Sequence, residues 1–235
     1  MFIEEYFSES DLGIRFSRQQ ACMFAKKIAD DFNPIHNTDA KRFCVPGDLL
    51  FSVILAKAGL HKNMDFTFTG MVTEDIDLTF PTKINEHFGI TDTNNKEYLD
   101  VKVSGDNSTN AALVDSLTKA YVAFSGHTFP HILVKLMQEN NVMINPARPM
   151  IMYQSMSIEL DTFEATDIEL KLSKTTLEHN GKRGQACLHF DLLSNNTVVG
   201  RGKKHMMLSG LRDYCAETMD KVVTDYEIVK AAYSQ

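Results

Sequence analysis

The feature that most restricts how this chain can fold is a short helix with no polar face. Pro46 and Gly47 precede it and Gly59 is a residue type that commonly ends helices, so we predict a helix over Asp48–Ala58. Asp48 suits the positive end of that helix. The residues after it are apolar on all sides, which is typical of a helix inside a domain rather than on its surface. Other elements must therefore enclose it.

An earlier helix is predicted from its first turn. Ser17 and Gln20 have the spacing of a capping box, in which each side chain bonds the backbone amide of the other. Apolar residues follow at helical spacing over Arg18–Asp30. The residue before a proline avoids helical backbone angles, so the helix ends before Pro34.

Most of the remaining chain alternates apolar and polar residues, as strands with one buried face do. The segments predicted as strands are Phe66–Phe80, Leu99–Val103, Ala111–Phe124, Ile151–Leu160, Ile168–Leu172, Ala186–Leu193 and Val198–Leu208. Asp106–Asn107 indicates a turn, and Asn195–Asn196 indicates the hairpin between the last two strands. Two further helices are predicted at His131–Glu139 and Cys215–Val229.

The composition limits the class of protein. The chain has 235 residues, of which 43% are apolar, and a net charge of −7. This apolar fraction supports a packed core, and the negative charge argues against a nucleic-acid partner. No apolar run reaches the ~20 residues of a membrane-spanning helix, and the first residues lack the basic start of a signal peptide. We therefore expect a cytoplasmic protein with no membrane partner, whose four cysteines are reduced.

The segment from Asp31 to His36 is the strongest candidate for chemistry. An acid and an imidazole five positions apart, on either side of a proline turn, can point at one spot and activate a water. The segment leads to Gly47, at a helix N-terminus where free amides stabilise developing negative charge. The alternative interpretation is that Asp31 and Asn33 only form a turn and that His36 is a solvated loop residue.

The string Asp31-Phe-Asn-Pro-Ile-His36, with Asp39-Ala40 and with Gly47 ahead of an apolar helix, resembles the MaoC-like dehydratase group, the (R)-specific enoyl-CoA hydratases of the hot-dog fold. The resemblance covers about residues 18–60. It implies that Asp31 and His36 activate water for addition to the double bond of an enoyl thioester. It also implies that the Gly47 amide polarises the thioester carbonyl and that Asn33 holds the loop.

The resemblance leads to one set of site residues. We assign Asp31, His36 and Gly47 to catalysis. We assign Asn33, Pro46 and Asp48 to substrate binding. The expected partner is a small-molecule acyl thioester on CoA or acyl carrier protein, with no metal or other cofactor. The oligomeric state stays open, with a homodimer as one option.

Two positions depart from that family. The segment between His36 and Gly47 is shorter than is usual there, where it forms a wall above the acyl pocket. Asp30 stands where a small residue is common, and two adjacent carboxylates are expected to raise the pKa of one of them.

Three other groups are weaker candidates. His127 and His131 have the spacing of a helical metal pair, but Pro130 between them argues against a regular helix. The basic segment Arg201–His205 is predicted to be a solvated sheet edge, with contact to the phosphates of a nucleotide-bearing thioester as the alternative. Cys44 is predicted to be a small buried residue.

The order of a short helix followed by long strands occurs twice, which suits an α+β fold. We predict two hot-dog units, residues 1–128 and 129–235, each an antiparallel sheet wrapped around a helix. The second unit lacks the motif and is expected to help form the substrate cleft. One hot-dog unit with a long extension is the alternative fold. The predicted activity is hydration or dehydration of an acyl thioester, and the alternatives are a non-catalytic acyl-thioester binder or regulator, or a thioesterase.

Overall fold

The computed structural model describes residues 1–81 and 83–233. Within them, ten strands form one antiparallel sheet and two more form a small second sheet. The strands of the first half are β1 (Ser8–Ser10), β2 (Gly13–Arg15), β3 (Leu60–Phe68), β4 (Leu78–Thr79), β5 (His87–Asp92) and β6 (Glu97–Ser108). Those of the second half are β7 (Val142–Met143), β8 (Met150–Leu160), β9 (Glu169–Asn180), β10 (Arg183–Ser194), β11 (Thr197–Ser209) and β12 (Arg212–Asp213). The main sheet has the order β1-β2-β4-β5-β6-β3-β8-β11-β10-β9, and β7 pairs with β12.

Four of the five helices lie between strands in sequence, and the fifth follows β12. They are α1 (Arg18–Lys27), α2 (Gly47–Ala58), α3 (Ala111–Gly126), α4 (Leu133–Glu139) and α5 (Ala216–Tyr233). Short 3₁₀ turns cover Phe2–Tyr6 and Pro34–His36, and a π turn covers Thr128–Ile132. In the described part of the chain, none of the helices combines the length and the apolar character that crossing a bilayer requires.

Each half of the main sheet encloses one long helix. Phe51 of α2 packs edge-on against Phe66 of β3, with ring centroids 5.2 Å apart. Tyr121 of α3 packs against Phe190 of β10 at 5.8 Å, and the two helices touch where Tyr121 meets Phe51 at 4.7 Å. An antiparallel sheet wrapped around a helix is the hot-dog fold, and this chain contains the arrangement twice. The predicted fold class is confirmed.

The two halves share one hydrogen-bonded sheet. Strand β3 pairs with β8 in antiparallel register, with Met64 opposite Ile158. One apolar cluster crosses this junction, and a second lies beneath α4 and the start of α5. The division of the chain at residue 128 stays a prediction, and the last two residues of the second predicted unit lie outside the described residues.

Two predicted strands are wrong. Ala111–Phe124 forms helix α3, because Asn110 caps its start through bonds to the amides of Ala112 and Leu113 and because its buried residues recur at helical spacing. Phe66–Phe80 is not continuous. Strand β3 ends at Phe68, and the chain then forms a loop before β4 at Leu78–Thr79.

One predicted turn is also wrong. Asp106–Asn107 lies inside β6, where Gly105 adopts a positive φ of 78° and the pairing with β3 shifts register. A bulge of this kind uses the same residue types as a turn, which explains the error.

Several local predictions are confirmed. Ser17 and Gln20 form the capping box of α1, and Gly59 ends α2 with a φ of 75°. Asn195 and Asn196 both have positive φ and connect β10 to β11. Helix α2 is enclosed as expected, with Leu55 only 1% exposed.

Candidate active site

The residue before the motif reverses the chain. Helix α1 ends at Lys27, and the amides of Ile28 and Ala29 still bond the Phe24 carbonyl. Asp30 then adopts a left-handed φ of 53°, which aspartate tolerates better than most residues. The amide of Asp31 bonds back to the Ala25 carbonyl at 2.8 Å. The Asp31 side chain therefore starts from a backbone that is fixed against α1.

The two carboxylate oxygens of Asp31 face different neighbours. Oδ1 accepts a hydrogen bond from the amide of Asn33 at 2.9 Å, and Oδ2 lies 3.6 Å from Nε2 of His36. The Asn33 side chain in turn accepts a bond from the amide of Ile35 at 3.2 Å and caps the turn Pro34–His36. Asp31 and Asn33 thus form the turn, as the alternative interpretation expected, while Oδ2 of Asp31 still faces the His36 ring.

The His36 ring is oriented by the loop that follows it. Nδ1 lies 2.7 Å from the carbonyl oxygen of Cys44, and the Cys44 amide donates to the Ile35 carbonyl at 3.1 Å. A carbonyl only accepts, so Nδ1 carries a proton, and the neutral ring therefore has its lone pair on Nε2, which faces Asp31. The side chains of His36 and Asp31 are 12% and 26% exposed, so the pair is sheltered but not sealed.

Gly47 begins α2 beside two aromatic rings. A Cβ at this position would lie 2.9 Å from Cδ1 of Tyr153 and 3.1 Å from Cε1 of Phe68, so the position suits glycine. Pro46 is buried before it, and its carbonyl accepts from the amides of Leu49 and Leu50. Among the described residues, no side chain caps this helix N-terminus. Its first amides are left for another acceptor.

Behind the helix N-terminus lies a buried group of polar side chains from three elements, which we call the buried polar cluster: Asp48 of α2, Ser125 of α3 and Lys204 of β11. Ser125 Oγ donates to Oδ2 of Asp48 at 2.6 Å and accepts from Nζ of Lys204. The hydroxyls of Tyr121 and Tyr153 bond each other nearby, and Lys204 Nζ lies 4.5 Å from the centre of the Tyr153 ring.

Burial controls the charges in this cluster. It raises the pKa of Asp48, against the opposing effects of Lys204 and Ser125. It lowers the pKa of Lys204, against the opposing effects of Asp48 and Asp31. The free-energy cost of burying Asp48 and Lys204 together is therefore lower than the cost of burying either one without its partner.

The C-terminal helix packs on the motif. The backbone amide of Phe32 donates to the hydroxyl of Tyr226 at 3.1 Å, and the same hydroxyl lies 3.4 Å from the Asp30 carbonyl. The Asp30 carboxylate accepts from Lys230 of α5 and from Nε2 of His127 at 3.0 Å. Both residues that flank Asp31 are thus attached to neighbouring helices.

These contacts correct one expectation about acidity. Burial pulls the pKa of Asp30 upward, but the hydrogen bonds from Lys230 and His127 outweigh it and the pKa is lowered. The raised pKa expected for one of the two adjacent carboxyl groups therefore does not occur at Asp30, because Lys230 and His127 donate hydrogen bonds to its side chain.

The basic segment was also predicted wrongly. Strand β11 lies between β8 and β10, so Arg201–His205 is not a sheet edge. Arg201 and Lys203 are exposed, whereas Lys204 points inward and is 5% exposed. The alternation of side chains along a strand could have indicated one inward lysine, but only the tertiary structure brings Ser125 to it.

The weaker candidates have structural roles. His127 pairs with Asp30, and its ring centre is 5.7 Å from that of His131. Burial raises the pKa of the Cys44 thiol to about 11, which disfavours the nucleophilic thiolate. Within residues 1–81 and 83–233, no three His, Cys, Asp or Glu side chains are grouped so that they could hold a metal ion.

Two clefts lie away from the motif. One of about 590 Å³ runs between α3 and the start of β9 and includes Asp115, Lys119 and Asp167. The other, of about 240 Å³, lies on β10 and β11 and includes His189 and Arg201. Neither is lined by Asp31, His36 or Gly47.

Comparison with known proteins gives one family and several similar structures. The family model described as "Protein of unknown function (DUF3581)" matches residues 1–217. No match is found among curated proteins.

Similar solved structures include an acyl-CoA thioesterase II TesB2 from Mycobacterium marinum, with 8% identity, coverage of 92% of this chain and 99% of that one, and a TM-score of 0.47. A conserved protein of unknown function with hot dog fold from Alicyclobacillus acidocaldarius has 9% identity, coverage of 89% and 98%, and a TM-score of 0.44. A putative thioesterase II from Thermobifida fusca YX has 8% identity, coverage of 76% and 91%, and a TM-score of 0.40. At these values the similarity identifies no substrate.

Proposed function

The chain belongs to the family described as protein of unknown function (DUF3581), and for this member we propose a hydratase or dehydratase of enoyl and 3-hydroxyacyl thioesters, in keeping with its resemblance to the MaoC-like group. The observation that carries the proposal is the relation between Asp31 and His36. Oδ2 and Nε2 lie 3.6 Å apart, which is too long for a direct hydrogen bond and close enough for one water beside the pair to reach both atoms.

The orientation of the His36 ring makes this pair a water-binding site. Because Nδ1 donates to the Cys44 carbonyl, both Nε2 and Oδ2 of Asp31 present lone pairs. A water beside the pair donates one O–H to each acceptor, and its own lone pairs then point away from both residues. Such a water is held in place and made more nucleophilic by two acceptors.

The amide of Gly47 makes the substrate more electrophilic by donating a hydrogen bond to its thioester carbonyl. It stands at the N-terminus of α2, where the backbone amides and the helix dipole favour negative charge. A thioester carbonyl bonded there is polarised, so the double bond conjugated to it becomes electron-poor at C3.

The addition needs no reagent other than the substrate and water. The water oxygen bonds to C3 while one of its protons passes to Asp31 or His36, and the electrons of the double bond move to the carbonyl oxygen at Gly47. The enolate collapses and C2 takes a proton from the protonated pair. One water has been added across the double bond, and dehydration is the same sequence reversed.

A second candidate is a non-catalytic binder of acyl thioesters. The observation in its favour is the packing beside Gly47, where the rings of Tyr153 and Phe68 offer apolar surface to an acyl chain. A site that holds the thioester but admits no water between Asp31 and His36 would bind without turnover.

The test follows the loss of absorbance of trans-2-enoyl-CoA substrates of short, medium and long chain. We expect turnover by the wild type and a fall of about 10²–10⁴-fold for Asp31→Asn, which keeps the size of the side chain but removes the base. Asp39→Asn, an exposed change in the same loop, is the matched control and should leave the rate unchanged.

Two further measurements separate the alternatives. Release of free CoA without loss of the double bond would indicate thioester hydrolysis. Thermal stabilisation by an acyl-CoA without either reaction would favour the binder. Absence of turnover on all chain lengths contradicts the hydratase proposal.

A further inference from the structure

The buried polar cluster is almost completely shielded from water. Asp48 is 9% exposed, Ser125 is 4% exposed and Lys204 is 5% exposed. Removing two charges from water is costly, and apolar residues of similar volume usually serve packing at least as well. The polar identity of these side chains therefore calls for a reason other than stability.

One atom of the cluster lacks a partner. Oδ2 of Asp48 accepts from Ser125, but Oδ1 is buried and has no hydrogen-bond partner in the described part of the chain. Buried carboxylate oxygens are nearly always paired, so this one is suited to a donor that arrives with a ligand. Lys204 has three N–H donors, and its hydrogen bond to Ser125 uses one of them.

The cluster lies next to the proposed catalytic residues. Asp31 and His36 both act electrostatically on the carboxyl group of Asp48, and Asp31 also acts on Lys204. The Tyr153 ring joins the two regions, because it lies beside Gly47 on one side and below Nζ of Lys204 on the other. An acyl group whose carbonyl is bonded at Gly47 thus has the cluster within its surroundings.

We propose that Asp48 and Lys204, held by Ser125, form a subsite for a hydroxyl group on the acyl chain of the substrate. The inference rests on the proposed function and names its substrate class, an acyl thioester with a hydroxyl beyond the reacting carbons. A hydroxyl donates to Oδ1 of Asp48 and accepts from Nζ of Lys204, and so satisfies both groups at once. A plain alkyl chain leaves Oδ1 unpaired.

This chemistry gives strong discrimination. A site built to hydrogen-bond a substrate hydroxyl rejects the analogue that lacks it far more strongly than an apolar pocket rejects an extra group. We expect a preference of about 10²-fold or more in kcat/KM for the hydroxylated substrate.

The experiment compares trans-2-pentenoyl-CoA with its 4-hydroxy and 5-hydroxy derivatives. The wild type should prefer one of the hydroxylated substrates, and Lys204→Met should reduce the ratio of the two kcat/KM values to a few-fold. Lys203→Met is the matched control, because Lys203 is the exposed neighbour on the same strand. It should retain the wild-type preference.

A double variant keeps the test informative if Lys204→Met does not fold. If Lys204→Met is unstable because it leaves Asp48 as an unpaired buried charge, the double variant Asp48→Leu/Lys204→Met removes both charges and should fold. It too should lose the preference. Equal kcat/KM of the wild type for plain and hydroxylated substrates overturns the subsite and leaves the hydratase proposal standing.

A binding measurement separates the two proposals. Calorimetry with non-reactive pentyl-CoA thioether and its 4-hydroxy and 5-hydroxy derivatives does not depend on turnover. Tighter binding of a hydroxylated compound, lost in the Lys204 variants, supports the subsite even if no hydration is observed. Equal affinity for all three compounds overturns it.

Discussion

The hydroxyl of Tyr226 accepts a hydrogen bond from the backbone amide of Phe32 at 3.1 Å. The two rings also meet edge to face, with centroids 6.2 Å apart. This contact joins a helix near the end of the chain to the residue that follows Asp31. The position of the proposed general base thus depends on a residue far away in sequence.

Tyr226→Phe should therefore destabilise the protein. The change keeps the ring contacts with Phe32 and Phe129 but leaves the buried Phe32 amide without its acceptor, which costs about 1–3 kcal/mol. Chemical denaturation measures the effect. Tyr233→Phe on the same helix, where the ring is exposed, should change the free energy of unfolding by less than about 0.5 kcal/mol. Equal stability of Tyr226→Phe and wild type would contradict the assigned bond.

The ion pair of Asp30 predicts a dependence of stability on pH. The folded state lowers the pKa of Asp30 below its unfolded value of about 3.9. The stabilisation is complete above that value and is lost as the pH falls through the lower folded pKa. Asp30→Asn should therefore lose less stability than wild type between about pH 4 and pH 2, when unfolding is measured at each pH.

The matched variant for this pair is Lys230→Met. It removes one of the two side chains that donate hydrogen bonds to Asp30 and should reproduce part of the change in acid sensitivity. If wild type and Asp30→Asn follow the same curve, Asp30 does not stabilise the fold through these contacts.

Asp31 and His36 should behave as one catalytic unit. Either Asp31→Asn or His36→Ala should reduce turnover of an enoyl thioester by about 10²–10⁴-fold, because either loss leaves the shared water with a single acceptor. The double variant should be little worse than the more damaging single one. Steady-state kinetics of the four proteins test this. If the reduction in turnover of the double variant equals the product of the two single reductions, the residues act independently.

The enclosed helix gives a direct test of packing. Leu55→Ala should cost about 2–5 kcal/mol, since the side chain is 1% exposed and its removal leaves a cavity. Lys57→Ala, on the same helix, removes an exposed pair with Glu9 and the contacts of Nζ with the rings of Phe7 and Phe80, and should cost about 1 kcal/mol. A loss of under ~1 kcal/mol for Leu55→Ala, from the denaturant midpoint, would place this side chain at a surface.

Local signals in the sequence were sufficient for some elements. The capping box at Ser17 and Gln20 marks the start of α1, and the lack of a polar face on Asp48–Ala58 predicts that α2 is enclosed. Both depend on interactions within a few residues or on the composition of a single helix. Such signals depend little on the rest of the fold.

Helix α3 shows where local patterns stop being sufficient. The sequence Ala111–Phe124 alternates well enough for a strand, but Leu113, Leu117 and Tyr121 also recur every fourth residue. The contacts of these side chains with α2 and the second half of the sheet decide between the two periods. Asn110, a favourable helix cap, was the available signal.

The sequence indicates one part of the candidate site, and only the fold assembles the other part. The motif lies in one stretch of the chain, so the sequence alone is enough to name Asp31 and His36 together. The sequence indicates Asp48 only as a neighbour of Gly47. Its contacts with Ser125 and Lys204 join three separate elements, and no spacing rule relates those positions.

The pairing of β3 with β8 has a consequence for biosynthesis. The ribosome releases β3 well before β8, with all of α3 and α4 between them in sequence. Until β8 emerges, one side of β3 is an unpaired strand edge on the nascent chain, and such edges recruit other strands. Lys62 and Asp65 place charges along this strand. We therefore expect chains that stall after β6 to aggregate more readily than chains released after β11, and substitution of Lys62 and Asp65 by apolar residues to worsen the aggregation.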